Sequence, residues 1–220
     1  MGPGGSMKRI GLTQRVDVAA GHGERRDGLD QKWAGLLLAL GYCPVPLAND
    51  VQDVGEYLAA LSLDGAVLTG GNDLVEAEGA SDVAPERDRF EHLLLDLFIA
   101  QRLPVLGVCR GVQMMAVHYG GGLKKVEDHV AQRHTVILDS SFFEDCPTSI
   151  EVNSYHQFAI DESGLSTRLK AIAWANDGTI EAVVHEELPQ AGVMWHPERE
   201  ESLAGHDLLM IQRAFGAGLS

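Results

Sequence analysis

Short apolar runs alternate with amphipathic stretches over the first 120 residues of the chain. Apolar residues recur at helical spacing, which predicts helices over 30–40, 51–61, 85–101 and 110–119. Asp30 and Gly41 suit the two ends of the first helix, and Pro85 suits the first turn of the third. Apolar runs at 8–13, 43–47, 65–69 and 103–108 have the length of strands. This alternation predicts an α/β fold with a parallel sheet covered by helices on both faces.

The pattern changes after Gly120, where the apolar runs become shorter and turn residues more frequent. Strands are predicted over 122–126, 135–138, 149–152, 169–174 and 179–184. The segment 176–178, Asn-Asp-Gly, is a hairpin signal, so several of these strands should be antiparallel. A last apolar strand over 191–195 leads into His196, and a closing helix is predicted over 202–215.

One cysteine lies at the junction of a predicted strand and a predicted helix. Cys109 stands in the segment 107–111, Gly-Val-Cys-Arg-Gly, where the two glycines relieve the crowding of a sharp turn. This is the pattern of a nucleophile elbow. The adjacent helix N-terminus would lower the pKa of the thiol and favour the reactive thiolate. The same pattern also suits a buried, inert cysteine, so only a partner base would distinguish a nucleophile from a structural residue.

A candidate base follows the last predicted strand. His196 and Glu198 are two residues apart and project to the same side of an extended segment, with Pro197 fixing the backbone between them. The carboxylate can hold one imidazole nitrogen while the other faces the thiol. Acyl transfer also needs two N–H groups for an oxyanion, and the sequence offers those of Arg110 and Gly71.

These segments resemble the class I glutamine amidotransferase-like superfamily. The resemblance is carried by residues 107–113 (nucleophile), 192–198 (histidine and glutamate) and 69–73 (oxyanion loop). It implies a flavodoxin-like, mostly parallel α/β core with a small antiparallel excursion, a γ-glutamyl thioester on Cys109, and neither metal nor cofactor. His129, His134 and Asp128 match no standard spacing of metal ligands, which supports that expectation.

Within the superfamily the chain looks like the γ-glutamyl hydrolase branch, the peptidase C26 type. Segments 87–91, 134–136 and 153–156 carry this resemblance, and segments 11–15 and 198–201 look closest to bacterial γ-glutamyl-CDP-amidate hydrolases. Those enzymes act in the phosphoramidate decoration of surface polysaccharide. The same likeness implies that Gln113, Ser154, Tyr155 and His156 face the glutamyl group. Arg15 suits a phosphate, although a surface salt bridge is the commoner role.

Three other functions are compatible with this pattern. The chain could hydrolyse γ-glutamyl-aminobutyrate in polyamine catabolism, or act as a glutaminase subunit that passes ammonia to a synthase. It could also be a catalytically silent binding protein on the same fold. The intact set of Cys109, His196 and Glu198 argues against the silent alternative.

Composition narrows the partners and the compartment. The formal charge is −15, from 32 acidic and 17 basic residues, so nucleic acid and anionic membranes are not expected to bind. No apolar stretch approaches the roughly 20 residues that span a bilayer. Three unpaired-looking cysteines indicate a reducing, cytoplasmic setting. We expect a small-molecule substrate. Residues 1–6 are interpreted as a cloning remnant and residues 7–220 as one domain, and a homodimer is compatible with the sequence.

Overall fold

The structure is a computed structural model that describes residues 7–216, so the predicted cloning remnant at 1–6 lies outside the described residues. Within this range nine strands form one sheet in the order β4-β1-β5-β6-β13-β12-β11-β8-β9. These strands are β1 Lys8–Leu12, β4 Tyr42–Pro46, β5 Gly65–Leu68, β6 Val105–Val108, β8 Val130–Leu138, β9 Ser149–Tyr155, β11 Leu169–Ala175, β12 Ile180–His185 and β13 Gln190–Val193. The α/β prediction is thereby confirmed.

The sheet has a parallel part and an antiparallel part. β4, β1, β5, β6 and β13 pair in parallel, whereas β13, β12, β11, β8 and β9 pair antiparallel. The antiparallel excursion therefore continues the central sheet. Its strands come from the chain after Gly120, where the turn-rich pattern predicts them. Only β13 belongs to both parts, and it carries the chain towards His196.

Helices cover both faces of the parallel part. The helices are α1 Lys32–Ala39, α2 Val54–Leu61, α3 Pro85–Gln101, α4 Arg110–His118 and α5 Gly205–Phe215. Trp33 of α1 and Ile211 of α5 pack on one side of the sheet. Leu58 of α2, Phe90 of α3 and Met114 of α4 pack on the other side. Strands buried on both faces explain why the runs at 65–68 and 105–108 are continuously apolar.

Several predicted helix starts are wrong by two or three residues. The first helix begins at Lys32 and not at Asp30, because the Asp30 carboxylate accepts the Lys32 N–H at 3.0 Å from outside the helix. The second begins at Val54 and not at Val51, because the Asp53 carboxylate accepts the Glu56 N–H at 2.8 Å and caps the helix. The third helix spans 85–101 as predicted.

Two small sheets lie outside the central sheet, and of their four strands only the one at 124–125 falls within a predicted strand, 122–126. β2 Arg15–Val18 pairs with β3 Arg25–Gly28 as a hairpin, and β7 Lys124–Lys125 pairs with β10 Phe158–Ala159. The hairpin projects from the end of β1, at the carboxyl edge of the parallel strands. It therefore forms one wall of the candidate site. No helix within residues 7–216 is long and apolar enough to cross a bilayer.

Candidate active site

Cys109 lies at the sharp turn between β6 and α4. Its backbone has φ 54° and ψ −110°, a conformation that a side chain with a Cβ rarely adopts. The Cys109 N–H donates to the Val193 carbonyl at 2.8 Å, which fixes the turn to β13. A strained backbone that is held by its surroundings is typical of functional positions. The residue is buried, with 6% of its surface exposed.

His196 and Glu198 meet Cys109 at the carboxyl edge of the sheet. The His196 Nδ1 lies 2.7 Å from the Glu198 Oε1, and both side chains are buried. A Cβ placed on Gly70 would lie 2.8 Å from the His196 Cε1 and 3.5 Å from the Cys109 Cβ. The imidazole and the thiol therefore flank the same glycine. The His196 Nε2 has no hydrogen-bond partner among the described residues, which leaves it available for proton transfer.

Asn153 of β9 holds the backbone of His196 on both sides. Its Nδ2 donates to the His196 carbonyl and its Oδ1 accepts the His196 N–H, each at 2.9 Å. The side chain is buried, so water does not compete for these two bonds. Asn153 therefore fixes the position from which the imidazole reaches the thiol. The sequence analysis placed it only within a substrate-side segment.

The thiol and the imidazole shift each other's ionisation. Burial disfavours the thiolate and is the largest single influence, but His196, His156 and the Arg110 N–H together outweigh it and lower the pKa of Cys109. Burial also disfavours the imidazolium, but the charges of the Cys109 thiolate and of Glu198 outweigh burial and raise the pKa of His196 to about 9. A thiolate–imidazolium pair is therefore the resting form between these two pKa values.

We expect the kcat/KM of the enzyme to fall above about pH 9, where His196 loses its proton. On the acid side the activity should be lost only below the lowered pKa of Cys109. In Cys109→Ala the thiolate charge is absent, so the His196 pKa should fall below 9. NMR titration of the His196 ring measures this change directly. An unchanged His196 pKa in Cys109→Ala would show that the two groups do not form a pair.

Arg87 of α3 orients the glycine loop that faces Cys109. Its guanidinium is completely buried and donates to the carbonyls of Thr69, Gly70 and Gly71, at 2.6, 3.2 and 2.5 Å. The Gly71 N–H belongs to the same trans peptide as the Gly70 C=O. Because the two groups point in opposite directions and the C=O faces Arg87, the Gly71 N–H points away from Arg87. Gly71 has φ 87°, which explains the glycine here.

The second predicted oxyanion donor lies at the start of α4. The backbone N–H of Arg110 follows the nucleophile directly and helps to lower the pKa of the Cys109 thiol. The Arg110 side chain turns inward and pairs with Asp88 and Glu91, while Arg87 also pairs with Glu91. All four residues of this buried network are at most 3% exposed. The network ties α3, the glycine loop and the nucleophile elbow into one unit.

Two cavities adjoin the nucleophile and share Arg15 and Gly71. The first, of about 220 Å³, is lined by Cys109, Gln113 and His156 among others. The second, of about 320 Å³, extends past His196 to Trp33 and to the β2–β3 hairpin. Arg15 lies between them, with its Nε 2.8 Å from the Asp17 carboxylate. A substrate with its reacting carbonyl at Cys109 can therefore extend in two directions.

The other residues predicted to bind substrate are placed differently. Gln113 and His156 line the smaller cavity, where the Gln113 Nε2 donates to the Phe158 carbonyl at 2.8 Å. Tyr155 lines the same cavity but is half-exposed, with its ring nearly perpendicular to that of His196 and the Arg199 guanidinium over its face. Ser154 is fully buried and donates to the His129 carbonyl at 2.6 Å. The Ser154 hydroxyl thus contacts the protein rather than either cavity.

This geometry agrees with the comparisons with known proteins. Residues 10–198 match the family model of Peptidase C26. The chain belongs to the peptidase C26 family. It is also 30% identical over 203 residues to γ-glutamyl-CDP-amidate hydrolase of Campylobacter jejuni subsp. jejuni serotype O:2, an alignment that covers 91% of this chain and 94% of the relative. The C26 chain is thus a cysteine-dependent hydrolase, as the resemblance predicted.

Solved structures of two glutamine amidotransferase-like proteins share the fold. A candidate GMP synthase component from Thermoplasma acidophilum superposes with a TM-score of 0.70 at 22% identity, covering 96% of this chain and 94% of that one. A glutamine amidotransferase from Thermotoga maritima gives 0.63 at 17% identity, covering 93% and 80%. These likenesses confirm the class I glutamine amidotransferase-like fold of the C26 chain.

Proposed function

We propose that this C26 chain hydrolyses a γ-glutamyl amide bond through a thioester on Cys109. The observation that carries the proposal is the buried Cys109 at a strained elbow, flanked across Gly70 by the His196–Glu198 pair. The family and the Campylobacter relative support a hydrolase of this class. The small cavity beside the thiol has the size of one amino-acid side chain and its backbone groups.

The proposed reaction has two stages. The Cys109 thiolate attacks the γ-carbonyl, and the N–H groups of Gly71 and Arg110 stabilise the oxyanion. His196 gives its proton to the leaving nitrogen as the C–N bond breaks, which leaves a γ-glutamyl thioester. His196 then accepts a proton from water, and the resulting hydroxide cleaves the C–S bond. Glutamate leaves, and the thiolate–imidazolium pair is restored.

The leaving group that fits best is a cytidine diphosphoramidate. Support comes from the Campylobacter relative, a γ-glutamyl-CDP-amidate hydrolase, and from the cations Arg15 and Arg199 in the larger cavity beside His196. Guanidinium groups recognise phosphate oxygens well. We also propose a cytoplasmic location, because a nucleotide substrate and the free thiols Cys43, Cys109 and Cys146 suit a reducing compartment.

Arg15→Gln should lower kcat/KM for γ-glutamyl-CDP-amidate by about 10- to 100-fold, the effect of one lost charge-assisted hydrogen bond. It should leave the rate with glutamine, which carries no phosphate, nearly unchanged. The glutamine side chain introduced at position 15 is long enough to cover Gly71, on which the Arg15 side chain packs in the wild type. Arg26→Gln is the matched control, because Arg26 is on the same hairpin but pairs with Glu24 outside the cavity.

The substrate itself is tested with a panel of γ-glutamyl-CDP-amidate, γ-glutamyl-aminobutyrate and glutamine, with glutamate release as the measurement. We expect the largest kcat/KM with the CDP-amidate. A larger value with γ-glutamyl-aminobutyrate would replace the proposed leaving group by an aliphatic amine. Hydrolysis of glutamine that requires an added synthase would identify a glutaminase subunit instead. No glutamate release from any γ-glutamyl compound would contradict the proposed reaction.

A further inference from the structure

A second cluster of ionisable side chains lies next to the active site in the antiparallel part of the sheet. Its members are three histidines and one glutamate. His129 directly precedes β8, His134 lies in β8, His156 directly follows β9, and Glu181 lies in β12. The ligand atoms of His129, His134 and Glu181 all lie within 4.8 Å of one another. Glu181 is 1% exposed, and its ion pairs within the described chain are all with histidines.

The separations between Glu181 and the three histidines are longer than those of ordinary hydrogen bonds. The Glu181 Oε1 lies 3.5 Å from the His134 Nε2, 3.5 Å from the His156 Nε2 and 3.9 Å from the His129 Nδ1. Hydrogen bonds between charged groups measure about 2.7–2.9 Å. In a tetrahedral zinc site with bonds of about 2.0–2.2 Å, neighbouring ligand atoms lie about 3.3–3.5 Å apart. Three of these contacts, including the 3.3 Å between His129 Nδ1 and His156 Nε2, have that spacing.

The outer hydrogen bonds direct the lone pairs of two histidines into the cluster. The His129 Nε2 donates to Asp177 at 3.0 Å, and the His156 Nδ1 donates to the Phe158 carbonyl at 3.0 Å. In the neutral rings, the opposite nitrogens are then both acceptors, and they face each other and a carboxylate. Both Glu181 oxygens and the His134 Nε2 have no hydrogen-bond partner among the described residues. A metal cation at their centre would satisfy these groups together.

We propose that His129, His134, His156 and Glu181 bind one divalent transition-metal ion, with zinc as the ion. Three imidazoles and one carboxylate suit zinc, and carboxylate or carbonyl partners on the outer histidine nitrogens are usual in zinc sites. The ligand atoms of His129 and His134 lie within 4.8 Å of each other, and rotation of His134, whose side chain is 16% exposed, would bring them to tetrahedral spacing and give the ion access. The sequence spacing behind the expectation of no metal site concerned His129, His134 and Asp128, whereas the proposed site also uses Glu181 and His156, which only the fold brings near.

The site joins the active site through one shared residue. His156 presents its Nε2 to the cluster, while its ring lines the cavity that contains Cys109 and Gln113. A bound ion would fix this ring and connect strands β8, β9 and β12. Zinc should therefore stabilise the fold at the substrate side of the cavity, independently of the reaction at Cys109.

The test uses the metal-free Cys109→Ala chain, so that the active-site thiol cannot bind the ion. Titration with Co²⁺ should give one equivalent with the intense visible bands of a tetrahedral complex. Zn²⁺ should displace it and, at about 100 times its Kd, raise the melting temperature by about 5–10 °C. His134→Ala should weaken binding by at least about 100-fold, and Asp177→Asn, which replaces the carboxylate that binds His129 but keeps an oxygen for Thr179, by about 10- to 100-fold.

His118→Ala is the matched control, because His118 forms the other close histidine pair of the described chain, with His92. It should leave the stoichiometry and the affinity unchanged. The proposal is overturned if neither ion binds, if Co²⁺ gives only the weak spectrum of an octahedral complex, or if binding is lost in His118→Ala and retained in His134→Ala. Circular dichroism of the metal-free variants separates a lost ligand from a lost fold.

Discussion

Cys109→Ala should reduce kcat for γ-glutamyl hydrolysis by at least about 10⁴-fold, the usual cost of removing the nucleophile from a catalytic group that acts as a unit. The remaining donors at Gly71 and Arg110 can bind the substrate but cannot form a thioester. Rapid acid quenching of the wild-type reaction, followed by mass spectrometry, should show Cys109 carrying one glutamyl group. The adduct should be absent from Cys109→Ala.

Cys146→Ala is the control for this experiment, because Cys146 is also a free thiol but is not among the residues that line the two cavities beside the catalytic pair. It should retain wild-type kcat and the glutamyl adduct. The Cys109→Ala chain should keep its circular dichroism spectrum, since the alanine preserves the Cβ and the buried contacts of the elbow. Turnover at the wild-type rate in folded Cys109→Ala would remove the basis of the proposed mechanism.

The nucleophile elbow is predictable from the sequence because its determinants are local. An apolar strand, a cysteine between two nearby glycines and a following helix all fall within 103–119. The pairing of His196 with Glu198 is local in the same way, since two residues suffice to bring the imidazole and carboxylate together. Bringing these two segments to one edge of the sheet required only the rule for parallel strands.

The contacts that hold this site are not local, and sequence patterns miss them for that reason. Asn153 binds the backbone of His196 from 43 positions away, and Arg87 reaches the glycine loop from another helix. The cluster of three histidines and one glutamate brings His129 to Glu181 across the antiparallel part of the sheet. Each partner alone looks like an ordinary polar residue of a strand or helix. What these residues share is a buried polar side chain whose partner lies far away in sequence, and both the burial and the partner are visible only in the fold.

The β2–β3 hairpin was missed for a different reason. Its strands contain Arg15, Asp17, Arg25, Arg26 and Asp27, and only Val16 is buried. Strand prediction depends on alternating apolar residues, and here the alternation is limited to the four residues of β2, while β3 contains no apolar side chain. It is held instead by polar contacts: the Asn72 side chain bonds both backbone groups of Val16, at 2.7 and 3.0 Å. The wall of the larger cavity thus depends on interactions that hydrophobic periodicity does not report.

Gly111→Ala should destabilise the protein by more than about 3 kcal/mol, beyond the usual range for one added methyl group. A Cβ at this position would lie 1.9 Å from the Leu68 carbonyl oxygen and 2.6 Å from its carbon. Both atoms belong to backbone and cannot rotate away. The first turn of α4 would have to move off β5, which would displace Cys109 from the oxyanion loop that follows β5. Denaturant unfolding measures the loss.

The matched control is Gly35→Ala in α1, where a Cβ would meet no atom within 4 Å. This change should stabilise the protein by up to about 1 kcal/mol, because alanine loses less backbone freedom in a helix. The opposite signs separate the general effect of replacing a helical glycine from the close approach of α4 to β5. If Gly111→Ala were as stable as the wild type, α4 would not approach β5 closely, and the elbow would need another explanation for its second glycine.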